Sequence, residues 1–215
     1  MHLTFEEYFD DSAAVRWSVA SALGQIGSER AIESLLKALK ADDSAKVRLR
    51  SADALGSIGG ERAIEALLEA LKPDNSEAVR GSAAEALGQI GSQRAIGALL
   101  EALKTDDSAA VRGKAASALG SIGGERAIEA LLEALKTDND SGLVAHAAWG
   151  LGNLAGNRKI KTNQAVFKDA AERLRRLLDR PGFDESVSII DNYYSHRYDV
   201  IWEALWNVCQ KQGIV

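Results

Sequence analysis

Cysteine is nearly absent from this sequence: Cys209 stands alone among 215 residues. A lone thiol excludes an internal disulfide framework and a thiolate zinc cluster. Proline is almost as scarce, with two occurrences, so long stretches can run as unbroken helix. Aromatic residues make up 6% of a composition that is 46% hydrophobic, which leaves alanine and leucine to carry the apolar content. Together with 27% charged residues, that mixture favours packed helices over sheets and predicts an all-α chain. No apolar run approaches the ~18 residues that a bilayer-spanning helix requires. A basic segment followed by an apolar stretch is also missing from the N-terminus, so nothing reads as a signal peptide. A cytoplasmic protein without membrane attachment is the expectation. The formal net charge of −5 argues against generic binding to nucleic acid or anionic membrane.

What the sequence does have is self-similarity. Val15, Val47, Val79 and Val111 are each followed by an arginine, giving Arg16, Arg48, Arg80 and Arg112 at a constant period of 32 residues. Gly24, Gly56, Gly88 and Gly120 keep that period, as do Gly27, Gly59, Gly91 and Gly123. Residues 56–72 and 120–136 are the same string, GSIGGERAIEALLEALK. Repeats one and three share GQIGS and repeats two and four share GSIGG, so a two-repeat unit has been duplicated.

Each repeat reads as two helices. The first opens after an Asp-rich turn such as Asp42-Asp43-Ser44, whose short oxygen-bearing side chains suit free amide donors, and buries Val47, Ala54, Leu55 and Ile58. Gly56 falls inside this helix, where glycine costs about 0.5–1 kcal/mol relative to alanine; its recurrence predicts a crowded crossing with the partner helix of its pair. Gly59 fits the left-handed residue that ends the helix. The second helix, Glu61 to Lys72, sets Ala63, Ile64, Leu67, Leu68 and Leu71 on one face at helical spacing. One pair cannot bury both apolar faces alone, so neighbours must stack into a continuous core.

The arginines have a matching acid six residues earlier: Asp10, Asp42, Asp74 and Asp106. An inter-helix turn followed by one helical turn brings each arginine beside an aspartate of its own or the adjacent repeat. The expectation is a structural ladder of such pairs that fixes repeat register more than overall stability.

The pattern VRxxAAxALGxIGxxxAIxxLLxAL resembles the HEAT repeat, in its phycobilisome-lyase-type form, over residues 10 to about 155. That resemblance implies a right-handed α–α superhelix, an armadillo-like solenoid of about five helix pairs, used to bind macromolecules. The chain then divides into an N-terminal capping helix (1–9), four tandem repeats (10–137) and a degenerate section with a helical cap (138–215). In such arrays the second helices line the concave surface. By that analogy Arg30, Glu33, Lys37, Arg62, Glu65, Arg94, Glu101, Arg126 and Glu129 are the candidate contacts for a protein partner. The acidic stripe Glu61, Glu65, Glu69, Glu125, Glu129 and Glu133 reads first as a solvated face.

Both ends depart from the repeat. Thr4 with Glu7 forms a capping box, and Phe5, Tyr8 and Phe9 share one helical face, as suits a short helix shielding repeat one. The string HLTFEEYF also resembles the segment LTFQEYF near the end of the helical region of NACHT-type STAND NTPases, which implies a C-terminal sensor or oligomerisation region of such a protein. The chain itself carries no Walker lysine motif. Beyond residue 138 the pattern decays: Leu151-Gly152-Asn153-Leu154 echoes it, and Ala145 is read in the arginine's place. A helix over 164–179 ends at Pro181-Gly182, and Trp202 and Trp206 on a last helix are read as filling the volume of a following repeat.

The chemical candidates are few. His2, His146 and His196 are scattered, with no carboxylate or second histidine at ligand spacing. Deoxyhypusine hydroxylase, a HEAT-like enzyme, holds iron on paired His-Glu motifs, and no His-Glu dipeptide occurs here. No metal, cofactor or catalytic residue is expected, and Cys209 reads as a small apolar residue. Between Arg158 and Arg180 eight Lys or Arg stand against three acids, with Arg173, Arg175, Arg176 and Arg180 crowding a helix end. Without basic positions repeated along the groove, nucleic-acid binding stays a minor alternative. Likeness to phycobilisome lyases adds another, the handling of a bilin.

Overall fold

The computed structural model describes residues 12–73, 75–135 and 141–156, together with the single positions 171, 172, 175, 176 and 206. The segments carrying Thr4–Phe9, Asp10, Asp74, Arg158, Arg173, Arg180, Trp202 and Cys209 lie outside those residues. Helices within the described part are α1 (Ala13–Ile26), α2 (Glu29–Ala41), α3 (Ala45–Ile58), α4 (Glu61–Ala70), α5 (Glu77–Ile90), α6 (Ile96–Thr105), α7 (Ala109–Ile122), α8 (Glu125–Ala134) and α9 (Ser141–Gly156). A 3-10 turn, Gln93–Ala95, leads into α6. No strand occurs among the described residues. The fold is an all-α solenoid of HEAT-like helix pairs, and the chain forms two compact units, Met1–Ala98 and Leu99–Val215, divided inside α6.

In the first unit α1, α3 and α5 lie side by side, with α3 between its two neighbours, while α2 packs on α3 and α4 packs on α5. Being covered on several sides, α3 buries Val47, Ser51, Ala52, Ala54, Leu55 and Gly56. The second helices are amphipathic instead: α4 buries Ala63, Ile64, Leu67 and Ala70 and exposes Glu61, Arg62, Glu65 and Glu69. In the second unit α9 packs on α7, and α8 touches both; Ala116, Leu119, Ile128, Leu131, Ala148 and Leu151 form its core.

The mid-helix glycines mark where first helices cross. A Cβ on Gly24 would lie 2.8 Å from Cβ of Ala54, and one on Gly56 would lie 2.6 Å from Cβ of Ala86. The crowding therefore lies between first helices of successive repeats, not within a pair. The α7–α9 crossing is tighter still, because Gly150 stands where the other repeats have alanine, and a Cβ on Gly120 would meet its carbonyl oxygen at 2.5 Å. All three contacts join residues 30 positions apart, and α3, α5, α7 and α9 start 32 residues apart in turn. That register corrects one sequence reading. The residue in the arginine's place in the fifth first helix is Val144, buried at 3% exposure, and not Ala145. The Val-Ala step imitates Val-Arg one residue late, whereas backbone contact at the glycines sets the true alignment.

Turns inside each pair alternate as the strings GQIGS and GSIGG do. After Gly27, Ser28 caps α2 by accepting from the Ala31 amide at 3.2 Å. After Gly59 a second glycine follows, and both take positive φ, 75° and 90°; Gly123 and Gly124 repeat this geometry. Side chains are strained there.

Candidate functional site: two charged ladders

The Asp-rich turn between α2 and α3 is held from two repeats. Arg16 on α1 makes a forked pair with Asp42, Nε to Oδ2 at 2.8 Å and Nη2 to Oδ1 at 3.0 Å, and its Nη2 also reaches Asp43 at 2.6 Å. Arg48, one turn into α3, donates instead to the backbone carbonyls of Asp42 and Asp43, at 2.6 and 3.2 Å. Oδ1 of Asp42 further accepts from the Ser44 amide at 2.9 Å. Own repeat and adjacent repeat thus take different roles: the repeat's own arginine ties the carbonyls, and the preceding arginine ties the carboxylate.

The arrangement recurs in part. Arg112 donates to the carbonyls of Asp106 and Asp107 at 2.9 and 3.3 Å, and Ser108 donates to Oδ1 of Asp106 at 2.9 Å. Arg80, buried at 6% exposure, donates to the Asn75 carbonyl at 2.7 Å. Burial pushes the Asp42 carboxyl upward, but the Arg16 hydrogen bonds, the Ser44 amide and the Arg16 charge outweigh it and hold the group below its usual range. Around Asp42 the aspartate–arginine row is a joint between repeats, with the Asp42 carboxylate 4% and the Arg16 side chain 14% exposed.

The predicted partner face fares differently. Arg30, Glu33 and Lys37 on α2, Arg62 and Glu65 on α4, Arg94 in the 3-10 turn, Glu101 on α6, and Arg126 and Glu129 on α8 are all exposed. Several of these charges are tied across neighbouring second helices. Arg62 reaches Glu29 at 2.5 Å, Arg94 pairs with Glu61 and approaches Glu65 at 4.0 Å, and in the second unit Lys104 meets Glu133 at 2.8 Å. Sequence reasoning missed this second ladder. Its signal is the Glu-Arg dipeptide at 29–30, 61–62 and 125–126, with Gln93-Arg94 as the variant. Side-by-side second helices bring an arginine next to the glutamate 33 residues earlier. Such exposed pairs are worth about 0–1 kcal/mol each and are screened by salt. They leave a mixed ridge of alternating sign.

A third row joins the first helices. Trp17 stacks under the Arg50 guanidinium, 4.1 Å from the ring centroid, a cation–π contact. One repeat on, Ser82 donates to the Leu49 carbonyl and pairs with the Asp53 carboxylate. In the second unit a Cβ on Gly113 would lie 3.1 Å from the His146 ring, and His146 is buried. The His146 ring thus stands in the space that a side chain at Gly113 would need. Among the described residues no three His, Cys, Asp or Glu side chains converge as metal donors, and no helix is long and apolar enough to cross a membrane. Trp206 is helical and 53% exposed. Arg175 and Arg176 are exposed too.

Known proteins place this geometry. Among curated proteins none matches the chain. The structure resembles the complex of CpcE and CpcF of phycocyanin lyase from Nostoc sp. PCC7120, with a TM-score of 0.53 at 22% identity, over 81% of this chain and 97% of that one. It also resembles human deoxyhypusine hydroxylase in complex with glycerol, with a TM-score of 0.48 at 20% identity, over 97% of this chain and 82% of that one. At these identities the likeness is one of fold. The profile of HEAT repeats matches residues 5–88 and 64–152, more than half of the sequence and the same span in which the 32-residue period holds. On that match the chain belongs to the HEAT repeat family.

Proposed function

We propose that this chain is a non-catalytic protein-interaction scaffold that presents its second-helix ridge to a protein partner in the cytoplasm. The observation that carries this reading is the division of labour between the helices. The first helices α3, α5, α7 and α9 expose few side chains, while second helices keep one face of regularly spaced, mixed-sign side chains in water. Mixed-sign charge at helical spacing favours a protein surface over a polyanion, because register and sign must both match. The test is capture of partners from host extract on the immobilised chain, beside an unrelated solenoid and beside the double variant Arg62→Glu/Arg94→Glu. A partner recovered by the wild type alone supports the ridge. Recovery of nothing beyond the unrelated solenoid counts against a scaffold role, and equal recovery by the variant counts against the ridge.

Two finer readings follow. The segment HLTFEEYF supports a place as the C-terminal sensor or oligomerisation region of a NACHT-type NTPase, tested by whether a NACHT module lies upstream in the same gene. The fold shared with the phycocyanin lyase subunits favours a bilin-related role as the alternative. Titration with a bilin then shifts its visible absorption, and an unchanged spectrum removes that role.

A further inference from the structure

The first helices of the first unit are joined by polar side chains as well as by their glycine crossings. On α3 the Arg50 guanidinium lies over the Trp17 ring of α1, 4.1 Å from its centroid. One turn further along α3, the two oxygens of Asp53 face different partners. Oδ2 is 3.8 Å from Nη1 of Arg50, and Oδ1 accepts from the Ser82 hydroxyl of α5. Contact therefore passes from α1 through α3 to α5 along four side chains.

Each member has few other anchors. Nε of Arg50 is buried and makes no hydrogen bond. Among the described residues its guanidinium is placed by the Trp17 ring and the Asp53 carboxylate alone. Ser82 is 2% exposed, so water does not readily replace its acceptor, and the Leu49 carbonyl at 3.4 Å is the remaining one. A hydrogen bond to a carboxylate is stronger than one to a neutral carbonyl, so the Ser82 hydroxyl follows Asp53.

We propose that Trp17, Arg50, Asp53 and Ser82 form a relay that couples the positions of α1 and α5 across α3. A shift of α1 moves the ring on which Arg50 rests. Arg50 carries its charge toward or away from Asp53, and the carboxylate draws the Ser82 hydroxyl of α5 with it; the same steps run in reverse. Linked polar groups of this kind act as a unit and not as a sum of pairs. The device goes beyond the scaffold reading, since none of the four residues lies on the second-helix ridge. It also belongs to the first unit and not to the repeat as such. At the α7–α9 joint the equivalents of Arg50, Asp53 and Ser82 are Lys114, Ser117 and His146, and neither helix contains a carboxylate.

The test reads the indole N–H resonance of Trp17 in the full-length chain, identified by its loss in Trp17→Phe. Ser82→Ala, two helices away, is expected to move that resonance by more than its linewidth, as is Asp53→Asn on the half-exposed link. In an Arg50→Leu chain, Ser82→Ala is expected to leave it in place. Glu77→Ala, exposed on α5 and off the relay, is the control for general disturbance of that helix. A resonance that ignores Ser82→Ala overturns the proposal, as does an equal shift in the Arg50→Leu chain or from Glu77→Ala. A second reading is the urea unfolding of Trp17→Leu, Ser82→Ala and the double variant. Unlinked positions multiply in their effect on the unfolding constant to within about twofold. Here a departure of at least about threefold is expected, and simple multiplication counts against the relay.

Discussion

Leu67 and Glu65 sit two positions apart on α4, yet one is wholly buried and the other exposed. Leu67→Ala is expected to cost about 2–5 kcal/mol in urea unfolding, through lost transfer energy and the cavity left behind. Glu65→Ala is expected to stay within about 0.5 kcal/mol. Asp42 offers a sharper test, because its carboxylate is 4% exposed and holds together parts of two repeats. Asp42→Asn is expected to cost about 1–3 kcal/mol at pH 7 by weakening charge-assisted bonds to Arg16. The Arg16 contacts hold the folded-state pKa below the ordinary carboxyl value of 3.8. The stabilisation is therefore complete above that unfolded-state value and is lost as pH falls through the folded one. Unfolding curves of wild type and variant compared at pH 7 and near pH 3 show it: the gap between them narrows on acidification.

At the scale of the element, glycine's effect depends on what faces it. Gly97 lies in α6 with nothing within 4 Å of an added Cβ, so Gly97→Ala is expected to stabilise by about 0.5–1 kcal/mol through helix propensity. Gly56→Ala gains the same propensity but drives a methyl into Ala86, and overpacking of about 1–3 kcal/mol wins. Opposite signs in the two melting temperatures are the expected result; a common sign would contradict the crossing geometry. Much of this was legible beforehand. The 32-residue period, the positions of the crowded glycines and the arginines of the Asp-rich turns all follow from spacing, because they repeat in the text as they do in space, whereas the helix that each glycine meets, the first helix of the next repeat and not its own partner, does not. The Glu29–Arg62 and Glu61–Arg94 pairs did not, since they need the lateral spacing of second helices, which no single helix encodes. Val144 was missed for a related reason: a dipeptide match is weaker than a backbone contact in setting alignment.

For the molecule as a whole, interchangeable joints have a measurable consequence. Removing residues 45–76, one full period, brings α5 against α1, with Ala86 meeting Gly24 in place of Ala54. The shortened chain is expected to keep its helicity per residue and a cooperative melt at a lower midpoint, since repeat stability is a sum over neighbours. Deleting 45–74 instead shifts the alignment by two residues, turns the alanine off the glycine, and is expected to give a broad transition. Circular dichroism melts of the two shortened chains decide between shared and unshared joints. A deleted period that melted as broadly as the mis-registered one would show that the repeats are not equivalent.

The same alanine-over-glycine joint bears on how such chains change through descent. A gene segment copied or lost in whole periods meets a ready-made contact on either side, so array length can drift without any compensating substitution. The identical blocks at 56–72 and 120–136 are the trace such an event leaves, and they let ancestry alter the reach of the molecule while its manner of packing stays fixed.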